Sequence, residues 1–372
     1  MEAMNKSILD IVTTPYLIPK GSSLRVDSVL KKLVNGNNVD LLVYPVGADT
    51  NYPNVNIIRV KSKKGLQLGV SEISGKKILL DMKILFKAFS LLRKNKYDLV
   101  HCEDFEAGFV GAILSLFFHK PRFVYDLHNT IVDNLRITNK PKFLIAIFRG
   151  ISKFVYSRYD MIIANWKIYE SIGKKKTFLL YDESDIEVKK TEIPTRKKYL
   201  AYSGNFKKYQ GVENFVEIYS KVNPSFDLVL VGPPNEDLSM LIEKLNIGNR
   251  VHFTGVLDIE ESNYILSNAA FCLIPRIGGD QPGLKMIHHV MLGKVSLASD
   301  IPANTEILVD GYNSVLYENE KDLINILKDI DEGNIIEEDF KKGIMETQKK
   351  ISGIWSYEYF VNNYSKVFKD EK

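Results

Sequence analysis

The chain has 372 residues, of which 45% are hydrophobic, 26% are charged and 11% are aromatic. This composition is typical of a soluble globular protein and excludes a collagen-like, coiled-coil or disordered chain. The length exceeds what one hydrophobic core ordinarily supports, so two domains are expected.

Localisation is predicted from cysteine use and from apolar runs. Cys102 and Cys272 are the two cysteines, and both lie in apolar, strand-like runs. They are predicted to be buried free thiols in a reducing compartment, with neither a disulfide nor a zinc site. Asp10 interrupts the N-terminal apolar run, so no signal peptide is predicted, and residues 107–118 are too short for the roughly 20 residues of a membrane span. The expectation is a cytoplasmic protein, with peripheral attachment to the inner face of the membrane left open.

Charge is divided unevenly along the chain. Residues 1–180 contain 28 Lys and Arg against 15 Asp and Glu, whereas residues 181–372 contain 22 against 31. Basic surfaces attract anionic lipid or nucleic acid. Because no recognisable RNA- or DNA-binding module is present, nucleic acid is not expected, and an anionic membrane surface is left open as a partner of the first half.

Apolar runs alternate with amphipathic segments in both halves. Strands are predicted at 7–14, 39–46, 55–60, 98–103, 122–128 and 161–166, then at 199–204, 226–232, 250–255, 270–275 and 295–300. Helices are predicted at 75–95, 104–119 and 140–157. This alternation indicates parallel sheets covered on both faces. The polar, proline-containing residues 183–198 are predicted to link two doubly wound domains, with the ligand in the cleft between their strand carboxyl ends.

Glycines follow several of these strands. Gly21 comes after the first strand, and Gly204, Gly232 and Gly255 end strands of the second half. Glycine lets backbone N–H groups approach a ligand, and a helix N-terminus favours phosphate, although each glycine could equally just close a turn. Neither G-x-G-x-x-G nor G-x-x-x-x-G-K-[ST] occurs, which argues against an ordinary dehydrogenase or ATPase.

The motifs, taken in chain order, resemble those of glycosyltransferase family 4, whose members are retaining nucleotide-sugar enzymes. GSSLRV (21–26) resembles its Gly-Gly-x-x-Arg-Val loop, and YDLVHCED (97–104) resembles its Asp-Val-Val-His-x-His segment. SGNFKKYQGVENF (203–215) is similar to the first turn of its donor domain, and residues 300–318 are similar to the stretch after its donor pocket. Residues 354–368 look like its C-terminal helix, which crosses back onto the first domain.

The resemblance implies the GT-B fold, an α/β architecture of two Rossmann-like doubly wound parallel-sheet domains facing a central cleft. It places an acceptor-side domain at 1–182, a linker at 183–198, a donor domain at 199–352 and the returning helix at 353–372. It implies a retaining, metal-independent hexosyltransferase without a cofactor. The donor would be a UDP- or GDP-sugar, and the acceptor a glycan or lipid-linked glycan of bacterial-type polysaccharide or glycoconjugate synthesis.

The segment GGDQPGLKMIHHV (278–290) is where the resemblance places the donor pocket. Asp280 and His288 take the places of two family glutamates, so Asp280 would accept from sugar hydroxyls and His288 would bind one ribose hydroxyl. Lys285 could bring its ammonium toward the diphosphate. The remaining expected pocket residues are Gly279, Gln281, Gly283 and Leu284. A helix N-terminal aspartate and an ordinary helix histidine are the alternative interpretations of Asp280 and His288.

A departure from the family concerns its diphosphate clamp. Asn205 and Gln210 stand where the family has an arginine and a lysine, so the branch is divergent. Lys207, Lys208 or Arg276 could supply the missing charge from neighbouring loops.

The resemblance implies attack by the acceptor on the face that the diphosphate leaves, which needs positioning and charge stabilisation but no side-chain nucleophile. His128 matches a donor-site histidine that would orient the sugar or donate to it; a strand-end histidine satisfied by backbone is the alternative. The candidate acceptor contacts are Ser22, Arg25, Glu103 and Asp104.

Three questions stay open. A nucleotide-sugar epimerase with the same fold would act on the donor without an acceptor, and a catalytically silent subunit would support a partner transferase. The basic amphipathic stretches 75–96 and 140–159 are either core helices or a surface for anionic lipid.

Overall fold

The computed structural model describes residues 5–16, 21–61, 75–137, 140–172, 176–184, 186–278 and 282–369, with the backbone alone described at residues 21–24, 75, 76, 137 and 176. The chain divides into two compact units. Unit 1 comprises Met1–Glu183 with Ile354–Lys372, and unit 2 comprises Ser184–Gly353.

Unit 1 is built on a seven-stranded sheet in which every pairing is parallel. Its strands are β1 (Ser7–Val12), β2 (Asn38–Val43), β3 (Val55–Arg59), β4 (Leu99–Glu103), β5 (Arg122–Leu127), β6 (Met161–Ala164) and β7 (Lys176–Leu179). The strand order is β3-β2-β1-β4-β5-β6-β7, the order of a doubly wound dinucleotide-type fold. The four-residue β7 was not predicted from the sequence, because KTFL has no extended apolar run.

Helices cover this sheet. They are α1 (Gly21–Leu33), α2 (Gly75–Lys94), α3 (Asp104–Leu114), α4 (Ile131–Ile137) and α5 (Lys142–Ser157). The C-terminal segment also belongs to unit 1, where Phe360, Val361 and Tyr364 join a core cluster with Ile8 and Val12 of β1.

Unit 2 repeats the same winding in six parallel strands, ordered β10-β9-β8-β11-β12-β13. The strands are β8 (Tyr199–Ser203), β9 (Asp227–Val231), β10 (Val251–Phe253), β11 (Phe271–Ile274), β12 (Ser296–Ser299) and β13 (Ser314–Tyr317). The sequence did not predict β13, which is another four-residue strand. The fold class is therefore confirmed as two Rossmann-like parallel-sheet domains.

The described residues of the second half of the chain form the α-helices α6 (Val212–Val222), α7 (Glu236–Lys244), α8 (Ile259–Ser267), α9 (Leu284–Met291), α10 (Glu320–Glu332), α11 (Lys341–Trp355) and α12 (Tyr357–Tyr364). The N-terminus of α8 carries a capping box, in which Asp258 and Glu261 each accept from the other's backbone N–H. Lys189 binds both carboxylates, so the stretch expected as a linker is bound to unit 2.

The structure also bears on the cysteines and on the length of the apolar helices. Cys102 and Cys272 are buried free thiols, as predicted. Among the described residues, no helix is long and apolar enough to cross a membrane.

Candidate active site

The turn after β8 brings a lysine from a distant helix against a glycine. Gly204 has φ of +141°, a conformation that only glycine adopts readily. A Cβ atom on Gly204 would lie 2.6 Å from Lys285 Nζ, which belongs to the first turn of α9. The missing side chain therefore makes room for the ammonium group.

Lys285 is held in this position by two neutral groups. Its Nζ donates to Tyr202 Oη at 2.9 Å and to Gln210 Oε1 at 3.1 Å, and lies 4.1 Å from the centre of the Tyr202 ring. Burial, with a smaller contribution from the charge of Arg276, lowers the pKa of Lys285 to about 7. Gln210 thus orients a lysine from another element.

Hydrogen bonds between side chains and the backbone hold the rest of the turn after β8. Tyr202 Oη donates to the Asn205 carbonyl at 2.6 Å, and the Asn205 side chain accepts from the Lys207 N–H at 3.2 Å. Lys207 and Lys208 are exposed beside it. These two lysines are accessible to a ligand, but none of the described residues of unit 2 holds their ammonium groups as Tyr202 and Gln210 hold that of Lys285.

The N-terminus of α9 adds a second cationic group. Helix α9 begins at Leu284, and its N-cap residue, Gly283, has no side chain that could cap the helix. Arg276 Nη1 lies 4.0 Å from where a Gly283 Cβ would be, and Arg276 Nε donates to the Gly278 carbonyl at 2.9 Å. The predicted pocket residues Gly279, Asp280 and Gln281 lie outside the described residues.

The adjacent histidines of α9 have different surroundings. His288 is partly buried and shares a hydrogen bond with Ser184 Oγ. His289 is buried, and its Nδ1 shares a hydrogen bond with Ser296 Oγ at 3.0 Å. Burial, followed by the charges of His288 and Lys285, holds the pKa of His289 well below its usual range, so this ring stays neutral. Of the two rings, that of His288 is the more exposed.

Two further glycines that the sequence predicted for the site, Gly232 and Gly255, lie next to each other at the carboxyl edge of the unit 2 sheet. Gly232 and Gly255 have φ of +141° and +77°, and the Gly255 N–H donates to the Gly232 carbonyl at 3.1 Å. Thr254 Oγ1 accepts from the Gly232 N–H at 3.2 Å. Because β10, β9 and β8 are neighbours, Gly204, Gly232 and Gly255 share one edge.

Unit 1 contains a buried ionisable cluster centred on Glu103. His101 Nε2 donates to Glu103 Oε1 at 3.2 Å, and His128 Nε2 donates to Glu103 Oε2 at 2.7 Å. Burial alone would raise the pKa of Glu103, but these two hydrogen bonds hold it well below its usual range. Burial likewise opposes the charge on His128, yet the bond to Glu103 and the nearby acids raise its pKa to about 9. His128 is therefore protonated at neutral pH.

Strand register explains why these groups meet. Asp10 of β1 pairs with His101 of β4, and Glu103 pairs with Asp126 of β5. Within the described part of the chain, neither carboxylate oxygen of Asp10 has a hydrogen-bond partner, and burial raises the pKa of Asp10 to about 8. Asp10, His101 and Asp126 were not anticipated, because each looks like an isolated polar residue in an apolar strand.

The same cluster contains two triads whose ligand atoms lie within 4.8 Å of one another: Asp10, His101 and Glu103, and Glu103, Asp126 and His128. Both oxygens of Glu103 already accept from histidine nitrogens. The described geometry is thus a hydrogen-bonded network, and a cation there would have to displace those bonds.

The predicted acceptor contacts divide into buried and accessible positions. Arg25 is buried, and four hydrogen bonds from its guanidinium go to Asp126, Asp182 and the Leu180 carbonyl. Its geometry fits a role within unit 1 instead of contact with an acceptor, because its donors are directed inward. Glu103 is likewise buried among histidines.

Asp104 follows Glu103 as the first residue of α3. It is partly buried and has φ of +71°, which is strained for a residue with a side chain. Its Oδ1 accepts from the Phe105 N–H at 2.8 Å. The backbone of Gly21 and Ser22 opens α1, and the Ser22 side chain lies outside the described residues.

A cavity of about 280 Å³ opens elsewhere in unit 1, at the amino ends of β1, β2 and β3. Ser7, Asn38 and Asp40 are among the residues that line it, and no sequence-predicted site residue does. Doubly wound sheets bind ligands at the opposite, carboxyl edge.

Comparison with known proteins gives matches along most of the chain. The family model described as Glycosyltransferase Family 4 matches residues 28–167, and the model described as Glycosyl transferases group 1 matches residues 183–345. A relative, the uncharacterized glycosyltransferase MJ1178 of Methanocaldococcus jannaschii, is 23% identical, and the match covers 98% of each chain.

Solved structures share the fold at low identity. Sucrose-phosphate synthase of Thermosynechococcus elongatus has a TM-score of 0.75 at 17% identity, covering 98% of both chains. HepE of Anabaena in complex with UDP has a TM-score of 0.71 at 16% identity, covering 98% of this chain and 99% of that one. This chain is a GT-B glycosyltransferase that resembles family 4.

Each of the two family models matches one of the two regions of this glycosyltransferase that contain candidate site residues. The group 1 match contains the Gly204 turn, Lys285 and His288, and the family 4 match contains Glu103 and His128. The sequence had pointed to most of these residues. It had not indicated Tyr202 or Ser184, because a single tyrosine or serine carries no signal until the fold brings it to Lys285 or His288.

Proposed function

We propose that this glycosyltransferase transfers a hexose from a nucleoside-diphosphate sugar to a glycan or lipid-linked glycan, with retention of anomeric configuration. The observation that carries the proposal is Lys285, whose ammonium lies against Gly204 at the carboxyl edge of the unit 2 sheet. HepE of Anabaena, which shares the fold, has been solved with UDP and with UDP-glucose. By analogy with HepE, the proposed donor is a UDP-sugar, and a GDP-sugar is the other donor that the family resemblance implies.

Lys285 is proposed to replace the family's two-residue diphosphate clamp. The turn that lacks the family's arginine and lysine has an ammonium in their place, held by Tyr202 and Gln210. A diphosphate bound at Gly204 would meet this ammonium, the exposed Lys207 and Lys208, and Arg276 near the start of α9. Fixed cations of this kind stabilise the charge of the leaving group.

The nucleoside and the sugar would bind on either side of the diphosphate. His288, paired with Ser184, is proposed to bind a ribose hydroxyl, while the glycine edge formed by Gly232 and Gly255 leaves room for the base. Asp280 remains the proposed partner of the sugar hydroxyls, together with the neighbouring Gly279, Gln281, Gly283 and Leu284.

The proposed reaction needs no enzyme nucleophile. The acceptor oxygen attacks the anomeric carbon from the face that the diphosphate leaves, and the acceptor proton passes to the departing phosphate oxygen. His128, which Glu103 keeps protonated at neutral pH, would donate to a sugar hydroxyl and orient it. Positioning and charge stabilisation supply the acceleration.

The test is binding and transfer measured on the whole chain. Titration with UDP, GDP and their hexose sugars identifies the base, and NMR of the product reports the anomeric configuration. Lys285→Met should weaken nucleotide-sugar binding by about tenfold or more, since it removes a charge-assisted contact. Lys349→Met, an exposed lysine of α11, is the matched control and should leave binding unchanged. An inverted product would overturn the retaining mechanism.

Metal independence is tested in the same assay. Activity that survives EDTA treatment would support a mechanism in which Lys285, Arg276 and a helix N-terminus stabilise the diphosphate without a metal ion. Activity that is lost with EDTA and restored by a divalent cation would overturn that part of the proposal and direct attention to the Glu103 triads.

A catalytically silent subunit is the second candidate, and Asn205 and Gln210 at the clamp positions favour it. It predicts no donor turnover with any acceptor. An epimerase, in contrast, would convert the donor without an acceptor. Donor turnover that depends on an added acceptor excludes both.

A further inference from the structure

Helix α2 presents a row of large apolar side chains to solvent. Their exposed fractions range from 48% to 67%, and the residues are Ile78, Leu79, Met82 and Phe86. Their spacing places them along one side of the helix, opposite the buried Leu80, Ile84 and Ala88. Lys83 and Lys87, also exposed, stand between and beside them. The helix therefore has a second apolar surface, which is exposed among the described residues of unit 1.

Helix α5 has the same arrangement. Phe143, Ile147 and Phe154 are 67%, 54% and 39% exposed, while Ser152 and Val155 face the interior. Arg149 and Lys153 are exposed on the same helix, and α5 contains no acidic residue. An amphipathic core helix would show a polar outer face, but here the outer face is apolar and basic.

Helix α3 and the segment after it connect these two helices. The Phe89 ring of α2 contacts the rings of Phe117 and Phe118 at 5.8 and 5.1 Å, and Phe105 of α3 contacts Phe148 of α5 at 6.3 Å. Three more large apolar side chains are exposed on this segment: Phe109, Leu116 and Phe117. We call the exposed apolar residues of α2, of residues 104–118 and of α5 the apolar face.

Basic residues accompany the apolar face. Residues 75–96, 104–122 and 140–158 contain fourteen Lys and Arg against three Asp and Glu. All three acids are engaged within unit 1, since Asp81 accepts from Tyr44, Asp104 accepts from the Phe105 N–H and Glu106 binds Lys77. The face therefore has a positive charge that its own acids do not balance.

From this combination we infer that the apolar face docks on an anionic lipid bilayer. Its aromatic and aliphatic side chains would enter the boundary between headgroups and acyl chains, and its lysines and arginines would contact anionic headgroups. Soluble monomers rarely expose contiguous apolar surface of this kind unless something binds it.

The positive charge of the apolar face favours an anionic bilayer over a second copy of the chain or a nucleic acid as the occupant. A second copy of the chain would bring an equally basic face, and like charges facing each other oppose association. Nucleic acid would satisfy the lysines but would leave the phenylalanines and isoleucines of helix faces without a partner, since such interfaces are strongly polar. An anionic bilayer matches both features at once.

The experiment is sedimentation of the full chain with vesicles, without donor or acceptor, so its outcome is independent of transferase activity. Wild-type protein should bind phosphatidylglycerol–phosphatidylcholine vesicles at low salt, and pure phosphatidylcholine vesicles much more weakly. Binding should weaken in high salt, because salt screens the contribution of the basic residues.

Two variants separate the contributions. Phe86→Ser with Phe143→Ser should reduce binding by about tenfold or more at every salt concentration, because it removes inserted apolar surface. Lys87→Glu with Lys153→Glu should reduce binding at low salt, by at least about fivefold for each basic residue removed. The matched controls lie on unit 2. Met240→Ser with Met345→Ser replaces two exposed methionines, and Lys342→Glu with Lys349→Glu replaces two exposed lysines.

Several results would overturn the inference. These are absence of binding to anionic vesicles at low salt, equal binding to both vesicle types, and equal loss in the unit 2 control variants. A concentration-dependent dimer that Phe86→Ser with Phe143→Ser dissociates would identify a second copy as the occupant instead. All substituted side chains are exposed, so each variant is expected to keep the wild-type unfolding midpoint.

Discussion

At the scale of single residues, Lys285 shows what local sequence can and cannot predict. Its place in the first turn of a helix after a glycine-rich loop predicted a cation near phosphate. No sequence motif indicates that Gly204 leaves space for this lysine or that Gln210 accepts from it, since these contacts join residues about 80 positions apart. Motif spacing predicts which residues share a loop, whereas the strand order of the sheet determines which loops lie next to each other.

The pKa of Lys285 predicts a pH dependence of donor binding. Near neutral pH the free enzyme is partly deprotonated at this residue, because burial lowers its pKa to about 7. Bound diphosphate favours the ammonium form of Lys285. Above pH 7, where the free enzyme is increasingly deprotonated at Lys285, donor binding therefore requires uptake of a proton. Nucleotide-sugar affinity should then fall, approaching about tenfold per pH unit.

Calorimetry between pH 6 and 9 measures this slope. Lys285→Arg keeps the charge over the whole range and should abolish the slope, because arginine does not titrate there. A slope that persists in Lys285→Arg would assign the proton to another group.

His288 and Ser184 make a second residue-scale prediction. If His288 binds a ribose hydroxyl, His288→Ala should weaken nucleotide binding by about 1 kcal/mol, or roughly fivefold. Ser184→Ala should have a smaller effect, because the serine orients the ring without contacting the nucleotide. A 2′,3′-dideoxynucleotide should bind wild type and His288→Ala equally. Unchanged affinity in His288→Ala would mean that the histidine is structural.

At the scale of elements, continuous apolar runs predicted eleven strand positions of the two sheets, and the short strands β7 and β13 were missed. Their four residues, KTFL and SVLY, become strands because a neighbouring strand is already in place. The sequence also left α2 and α5 open between core and surface. Periodicity shows which residues share a helix face, but α5 turns Phe143 and Ile147 outward, and only the packing reveals that.

Helix α12 provides a prediction about unit 1. Tyr364 Oη shares a buried hydrogen bond with His101 Nδ1 at 2.8 Å, which ties the C-terminal helix to the Glu103 cluster. Tyr364→Phe should lower the free energy of unfolding by about 1–3 kcal/mol, since it leaves a buried ring nitrogen without its partner. Tyr357→Phe, on the same helix, removes an exposed bond to the Asn35 carbonyl and is the control. Chemical denaturation measures both, and equal effects of the two variants would contradict the role given to Tyr364.

At the scale of the whole molecule, each unit carries its own set of functional groups. Unit 2 holds the glycine edge, Lys285 and His288, and unit 1 holds the Glu103 cluster. The alternation of strands and helices predicted two doubly wound domains, and the observed strand orders confirm that. The assignment of the nucleotide to unit 2 and of the acceptor to unit 1 remains a proposal.

Hydrogen exchange of the whole chain tests that assignment. Saturating UDP or GDP should slow exchange at Gly204–Gln210, at the turns after β9 and β10 and in the first turn of α9, because ligand-bound backbone N–H groups exchange slowly. Uridine or guanosine, which lack the diphosphate, should protect the turns after β9 and β10 more than the Gly204 turn. If the diphosphate is held as proposed, Lys285→Met should lose the extra protection at Gly204 and keep the nucleoside-dependent part. Protection confined to unit 1 would place the nucleotide elsewhere and remove the basis for Lys285 as the diphosphate-binding cation.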